Sequence, residues 1–203
     1  MKRLALRSGA VQLSESKKPR RNLRGIRNPQ FRIHNSEFII PNSCRVGLGN
    51  DLHRLAPGRK LVLGGVRIPF EKGPVAHSDG DALIHAICDA LLGAAALGDI
   101  GHHFPDTSPR WRNASSLLFL RRVRRLLDQA GYSIVNVDAT VGLERPKLAS
   151  YIPRMQKRLA ATLGICPAQV SVKAKTGEGV DAVGQGLALR ADATVLVEAT
   201  PHS

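Results

Sequence analysis

The sequence predicts an α+β fold, a mixed β-sheet layered with α-helices, on three observations. Short segments alternate apolar and polar residues, as half-buried strands do, and lie on either side of longer segments with helical spacing. Each helical segment is followed by a glycine, a common stop. With 203 residues, 43% of them hydrophobic, the chain can fill one sizeable core and is marginal for two, so a single domain is expected.

Taken in order, Arg45 to His53 reads as a strand, and Leu61-Val62-Leu63, Gly64-Gly65 and Val66-Arg67-Ile68 read as a strand and turn continuing it. Ser78 with Asp81 three residues later has the capping-box pattern, and the Ala- and Leu-rich stretch Ala82 to Leu97, ended by Gly98, reads as the first helix. A second helix is expected from about Ala114 to Ala130, its apolar face carrying Leu120, Val123, Leu127 and Ala130; Arg121, Arg122, Arg124 and Arg125 fit a solvated face. Ser133 to Leu143 alternates, with Val135, Val137, Ala139 and Val141 on the predicted buried side. A third helix follows, about Ile152 to Leu163, and then strands Gln169 to Lys175 and Leu187 to Glu198. The expected order is β-β-α-α-β-α-β-β, with no internal repeat.

The formal net charge of +14 raises nucleic acid as a partner, since Lys and Arg displace counterions from a phosphate backbone. Its distribution argues against that partner. Residues 1–43 hold ten Lys or Arg against Glu15 and Glu37, a net of +8, which leaves +6 for the other 160 residues. That stretch has no sustained apolar period and reads as a basic, disordered N-terminal extension; residues 44–203 read as the folded domain. Three widely spaced cysteines provide neither a disulfide framework nor a CxxC pair, which fits a reducing, cytoplasmic setting. The extension is basic like an organelle-targeting peptide, but it has few Ser and no Thr, so plastid targeting is the less favoured reading. No stretch approaches the ~18 apolar residues of a membrane span.

Asp51-Leu52-His53 closes the first predicted strand, where the period of two sends Asp51 and His53 to one face. By itself a DxH tripeptide is commonly accidental. His77-Ser78-Asp79-Gly80-Asp81 opens the first helix, and Asp81, His85 and Asp89 share a face of that otherwise apolar helix. A buried His flanked by carboxylates suits a metal, and two imidazoles with one carboxylate suit Zn²⁺ with an open fourth position. Gly98-Asp99-Ile100-Gly101 and Phe104-Pro105-Asp106 then read either as a helix end and loop or as an anion- and hydroxyl-binding turn.

As an ordered set, these segments resemble the 2-C-methyl-D-erythritol 2,4-cyclodiphosphate synthases, the ring-closing enzymes of the non-mevalonate isoprenoid pathway. Leu63 to Pro69, Leu91 to Gly101, Phe104 to Thr107, Arg145-Pro146-Lys147, Ile152-Pro153 and Val172 to Glu178 extend the likeness over roughly Arg45 to Ala199. The resemblance implies a homotrimer with active sites at subunit interfaces. It implies intramolecular phosphoryl transfer, converting 4-diphosphocytidyl-2-C-methyl-D-erythritol 2-phosphate to the cyclic diphosphate with release of CMP.

It also implies roles. Asp51, His53 and His85 match zinc ligands, and Glu178 matches the residue holding a second divalent cation, Mg²⁺ or Mn²⁺, against the diphosphate. His77 and Ser78 match the segment at the 2-phosphate; Asp99, Ile100, Gly101 and Asp106 match positions around the methylerythritol. Pro146, Lys147, Leu148, Ala174, Lys175 and Thr176 match the cytidine and diphosphate side, supplied by the neighbouring subunit, with Thr176 and Glu178 next to the reacting groups. No protein nucleophile is needed, and Cys88 is expected to be a small core residue. Ala182 and Gln185 stand in the region where relatives place a Phe and an Arg around a trimer-axis cavity that can hold an isoprenoid diphosphate, so the resemblance leaves that secondary ligand open. A zinc hydrolase using the same three ligands is the rival chemistry.

Overall fold

The computed structural model describes residues 44–200, and the basic extension assigned to residues 1–43 lies outside them. Strands β1 (Cys44–Pro57), β4 (Lys72–Pro74), β5 (Tyr132–Gly142), β6 (Val170–Lys175) and β7 (Ala188–Ala199) form one sheet in the order β4-β1-β7-β5-β6. β5 and β6 are parallel, because helix α4 (Ile152–Leu163) carries the chain back between them; the other pairings are antiparallel. β2 (Leu61–Leu63) and β3 (Val66–Ile68) pair only with each other. Helices α1 (Ala82–Ala94) and α3 (Ser116–Gln129) and the short α2 (Ile100–His103) complete the α+β arrangement.

Several expectations about elements are corrected. β1 runs four residues beyond His53, β2 and β3 form a separate hairpin and do not continue β1, and β4 was not foreseen in so short and glycine-containing a stretch. Helix α1 ends at Ala94, since Ala96 takes a left-handed φ of 58°. In β5 a bulge between Ile134 and Asn136 shifts the register, so Ile134 is buried where Val135 was expected to be. β7 keeps the predicted alternation, with Leu189, Ala191, Ala193, Val195 and Val197 buried.

The packing that positions the site is the contact of α1 with β1. On the face of β1 toward α1, the sequence runs Gly47-x-Gly49-x-Asp51-x-His53. A Cβ at Gly47 would lie 1.8 Å from the Ala90 carbonyl oxygen, and one at Gly49 would lie 2.1 Å from that of Ala86. Only glycine lets the helix backbone rest this close to the strand. Ala82, Ala86 and Ala90 keep the helix side equally small, and Leu83, Ile84, Ile87, Leu91 and Leu92 fill the core around it.

A second anchor is Asp81, which is fully buried. Its carboxylate accepts hydrogen bonds from Gly64 N (2.9 Å), Gly65 N (2.6 Å) and Ile84 N (3.1 Å), so it caps α1 and pins the β2–β3 turn to the helix start. Asp81 is thus the N-cap itself, and the Ser78 hydroxyl accepts from Gly80 N (3.2 Å), replacing the expected capping box. On α3 the arginine face is mostly solvated, but Arg124 donates to the Leu163 carbonyl (2.8 Å), tying α3 to the end of α4.

The opposite face of β1 exposes apolar side chains: Val46, Leu48 and Leu52 are 68%, 70% and 65% exposed. Together they form a stripe that a soluble monomer would ordinarily cover.

Gly49→Ala is expected to push α1 off β1, at a cost of about 1–3 kcal/mol in denaturant unfolding, with a parallel loss of divalent-metal affinity. Wild-type stability and metal affinity in this variant would refute the close-packing argument.

Candidate metal centre and substrate pocket

Because β1 and α1 lie so close, Asp51 and His53 at the end of the glycine-bearing face meet His85, one turn into the helix. The ligand atoms of the three lie within 4.8 Å of one another. Asp51 Oδ2 is 2.9 Å from Nδ1 of His53 and 2.9 Å from Nδ1 of His85. The sequence pairs Asp51 with His53 by period; the contact between elements adds His85.

The chemistry of this cluster fits a divalent cation. His53 Nδ1 is buried and makes no hydrogen bond despite its short approach to Asp51. A buried, unpartnered imidazole nitrogen converging with a carboxylate oxygen and a second imidazole is a set of lone pairs aimed at one point. Burial alone would raise the Asp51 carboxyl, but the imidazoles of His53 and His85 beside it outweigh burial and hold the group down at about 2. Burial pulls His85 the other way, yet Asp51 overcomes it and raises the imidazole above its usual value.

His53 and His85 open into a cavity of about 740 Å³ that His77, Ser78, Ile100, Gly101 and Asp106 also line. Phe104 stacks on Phe119 at 4.6 Å, and with Trp111 they form its apolar floor, the Phe119 ring 6.2 Å from that of His85. The His77–Asp81 segment is sewn to the loop before α3: Asn113 N donates to the His77 carbonyl (2.8 Å), Asp79 N to the Ala114 carbonyl (3.0 Å), and His77 Nε2 to the Ser108 carbonyl (3.3 Å). Arg59 reaches from the far side, donating to the carbonyls of Pro74 (3.2 Å) and Ala76 (2.9 Å).

Two expected positions behave differently. Asp99 does not line the cavity; it is exposed and caps α2, accepting from His102 N at 2.8 Å. Asp89, on the predicted polar face of α1, accepts from Ile100 N at 2.7 Å and so fastens α2 beside the pocket. Burial raises the Asp89 carboxyl. Cys88 is fully buried, with its thiol pushed well up by burial, as a core residue should be.

Lys147, Leu148, Ala174, Lys175, Thr176 and Glu178 come together elsewhere, around a separate depression of about 520 Å³ at the ends of β5 and β6. Pro146, after the Arg145–Pro146 cis bond, is in the loop that borders it. Thr176 Oγ1 donates to Glu178 Oε1, and Glu144 accepts from Gly177 N at 3.0 Å, shaping the turn. Within one chain the two expected halves of the site are not joined. Gln185 lines a third hollow with Gly184, Gly186 and Lys72.

Sequence reasoning missed Val75, Trp111 and Phe119 as pocket walls, and Arg59 as a support. Phe119 and Trp111 carried the ordinary signal of core aromatics. Arg59 had no local signal at all.

Fold and site together define an α+β enzyme with a two-histidine, one-aspartate cluster able to hold a metal ion, opening into a cavity of about 740 Å³. Residues 44–198 match the YgbB family, and the chain belongs to that family. The relatives carry the name 2-C-methyl-D-erythritol 2,4-cyclodiphosphate synthase. One from Nitrosospira multiformis is 53% identical over 161 residues, covering 79% of this chain and 91% of the relative. One from Solibacter usitatus is 56% identical over 157 residues, covering 77% and 99%. Among solved structures, a cyclodiphosphate synthase in its CDP-bound form superimposes with TM-score 0.70 and 41% identity, over 75% of this chain and 99% of that one. The bifunctional IspDF of Campylobacter jejuni gives TM-score 0.75 and 35% identity, over 78% of this chain and 43% of that longer one. Among the described residues no helix is long and apolar enough to cross a membrane.

Metal binding should be proton-linked with a definite sign. His85, raised above its usual value, is protonated at lower pH and must lose that proton to ligate, whereas Asp51 stays ionised down to about 2. Affinity for Zn²⁺ should therefore fall as pH drops from 8 to 5, with protons released on binding when calorimetry is repeated in buffers of different ionisation enthalpy. An affinity flat across this range would contradict the assignment of His85.

Proposed function

We propose that the protein is a phosphorus–oxygen lyase that converts 4-diphosphocytidyl-2-C-methyl-D-erythritol 2-phosphate to 2-C-methyl-D-erythritol 2,4-cyclodiphosphate and CMP, in non-mevalonate isoprenoid biosynthesis. The observation that carries this reading is the opening of the Asp51-His53-His85 cluster into the same cavity as His77, Ser78, Gly101 and Asp106.

In the reaction an oxygen of the 2-phosphate forms a bond to the β-phosphorus, and the bond from that phosphorus to the bridging oxygen breaks, its electron pair leaving with CMP. The substrate carries its own nucleophile, so the protein's work is to fold a polyanion onto itself and hold it. His77 and Ser78 meet the 2-phosphate, and Ile100, Gly101 and Asp106 border the methylerythritol. Asp51, His53 and His85 would hold Zn²⁺, which when bound would supply Lewis-acid charge stabilisation to the phosphates. Glu178 offers a single carboxylate that would help hold Mg²⁺ or Mn²⁺, which would supply charge neutralisation to the diphosphate. Lys147 and Lys175 add positive charge on the nucleotide side, and Leu148 and Ala174 give the cytosine an apolar wall.

The working form in this reading is a homotrimer in the cytoplasm. Two observations support assembly: the exposed Val46-Leu48-Leu52 stripe, and the division of the expected site residues between two separate hollows of one chain. A neighbouring copy can bring Lys147, Lys175, Thr176 and Glu178 to the metal-bearing cavity.

Phosphorus NMR of the protein with the substrate, Zn²⁺ and Mg²⁺ should show the cyclic diphosphate together with CMP, and chelator should abolish both. An opened monophosphate as the product would instead make the protein a zinc hydrolase. Sharing of sites between copies has its own test. His85→Ala and Glu178→Ala should each be inactive, while co-refolding the two in equal amounts should restore about a quarter of the sites by random assortment in a cyclic trimer. No recovery would place both residues in one subunit's site.

A further inference from the structure

Ser116 is the first residue of α3, fully buried, and plays no part in the assignments above. Its backbone N–H donates to Asp79 Oδ2 at 3.0 Å, and its hydroxyl donates to Asp79 Oδ1. The same hydroxyl oxygen is 2.9 Å from His85 Nε2, on the side of the ring away from Asp51.

Proton counting decides what these contacts are. A carboxylate accepts only, so the single Ser116 hydroxyl proton is committed to Asp79. Toward His85 the Ser116 oxygen then presents lone pairs, and the 2.9 Å contact is a hydrogen bond only if Nε2 carries a proton and donates it. In a neutral imidazole protonated at Nε2, the free lone pair is on Nδ1, the nitrogen 2.9 Å from Asp51 Oδ2. Were Nε2 bare, the Ser116 proton would have to turn away from Asp79, leaving two oxygens in contact with no proton between them. Asp79 is itself held, since its N–H donates to the Ala114 carbonyl at 3.0 Å and its Oδ1 lies 3.3 Å from Asp81 N, which donates to it. Ser78 Oγ, 3.3 Å from Nε2, is the longer and weaker neighbour.

We propose that Asp79 and Ser116 are positioning residues for the metal centre: a carboxylate–hydroxyl relay that fixes His85 with its proton on Nε2 and its Nδ1 lone pair toward the metal. The relay also places an anion behind the ring, which makes the ligand nitrogen more basic. The proposal rests on reading Asp51, His53 and His85 as a metal site. It explains why the motif His77-Ser78-Asp79-Gly80-Asp81 carries two acidic residues that do not reach the cluster. Asp81 ties the turn to the helix, and Asp79 works through Ser116.

The test begins on the unaltered protein. With histidine labelled with nitrogen-15, long-range proton–nitrogen correlation on the zinc-loaded protein should report His85 Nε2 as the protonated nitrogen. A bare Nε2 would overturn the proposal without need of any variant. Ser116→Ala and Asp79→Ala should then each lower Zn²⁺ affinity by about 10- to 100-fold in competition with a chromophoric chelator, while Ser116→Thr, which keeps the hydroxyl, should stay within a few-fold of wild type. Circular dichroism of the metal-free variants separates a folded protein with a weakened site from an unfolded one. Wild-type affinity in a folded Ser116→Ala protein would sink the relay and leave the metal site standing; failure of the wild type itself to bind Zn²⁺ would sink the underlying reading of the site.

Discussion

The near contact of the α1 backbone with β1 is the constraint on which the site depends. It exists because Gly47 and Gly49 have no Cβ to collide with the carbonyl oxygens of Ala90 and Ala86. The next two residues on that face are Asp51 and His53, and the residue before Ala86 on the helix is His85. The glycines set the helix–strand distance, and this distance brings the three ligand groups within 4.8 Å. A larger residue at either glycine would separate the ligands without touching any of them.

Acidic residues provide the rest of the scaffold, in most cases by accepting backbone N–H groups. Asp81 binds the β2–β3 turn to α1, Asp89 binds the start of α2, and Asp79 binds the start of α3. Each replaces solvent as the partner of donors at a turn or helix N-terminus, where backbone groups are otherwise unpaired. Three segments around the pocket are thereby held to the helix that bears His85 or to the turn just before it. The pocket's apolar floor of Phe104, Trp111 and Phe119 excludes water from one side of the metal ligands, which strengthens the electrostatic interactions there.

A single chain has an unfinished look in two respects that share one physical remedy. Its sheet buries one face under helices while Val46, Leu48 and Leu52 remain exposed on the other, and the cavity lined by His53 and His85 is separate from the hollow with Lys147, Lys175 and Glu178. Covering the first with another copy and completing the second from it are both served by a closed symmetric assembly. In such an arrangement the β1 stripe supplies burial energy, and the polar hollows supply chemistry at its edges.

Local periodicity made much of this legible from the sequence. The alternation in β7, the apolar face of α3 through Leu120, Val123 and Leu127 but not the exposed Ala130, the stop at Gly164 and the shared face of Asp51 and His53 are all short-range patterns, set by the 2.0 and 3.6 residue repeats of backbone geometry. The motif order also identified the family. Local pattern could not show the bulge that moves Ile134 inward in place of Val135, because sheet register depends on the partner strand. Nor could it show that Asp99 caps α2, or that Arg59 braces the chain 15 and 17 residues ahead. Ser116 is the clearest case: its partners Asp79 and His85 are 37 and 31 residues away, and nothing near it in sequence distinguishes it from an ordinary helix-start serine. The sequence by itself determined which residue types are available and, wherever the backbone period is unbroken, which face of an element each occupies. Tertiary structure alone decided which of them meet and which way a hydroxyl proton points, since both depend on distances between elements that only packing sets.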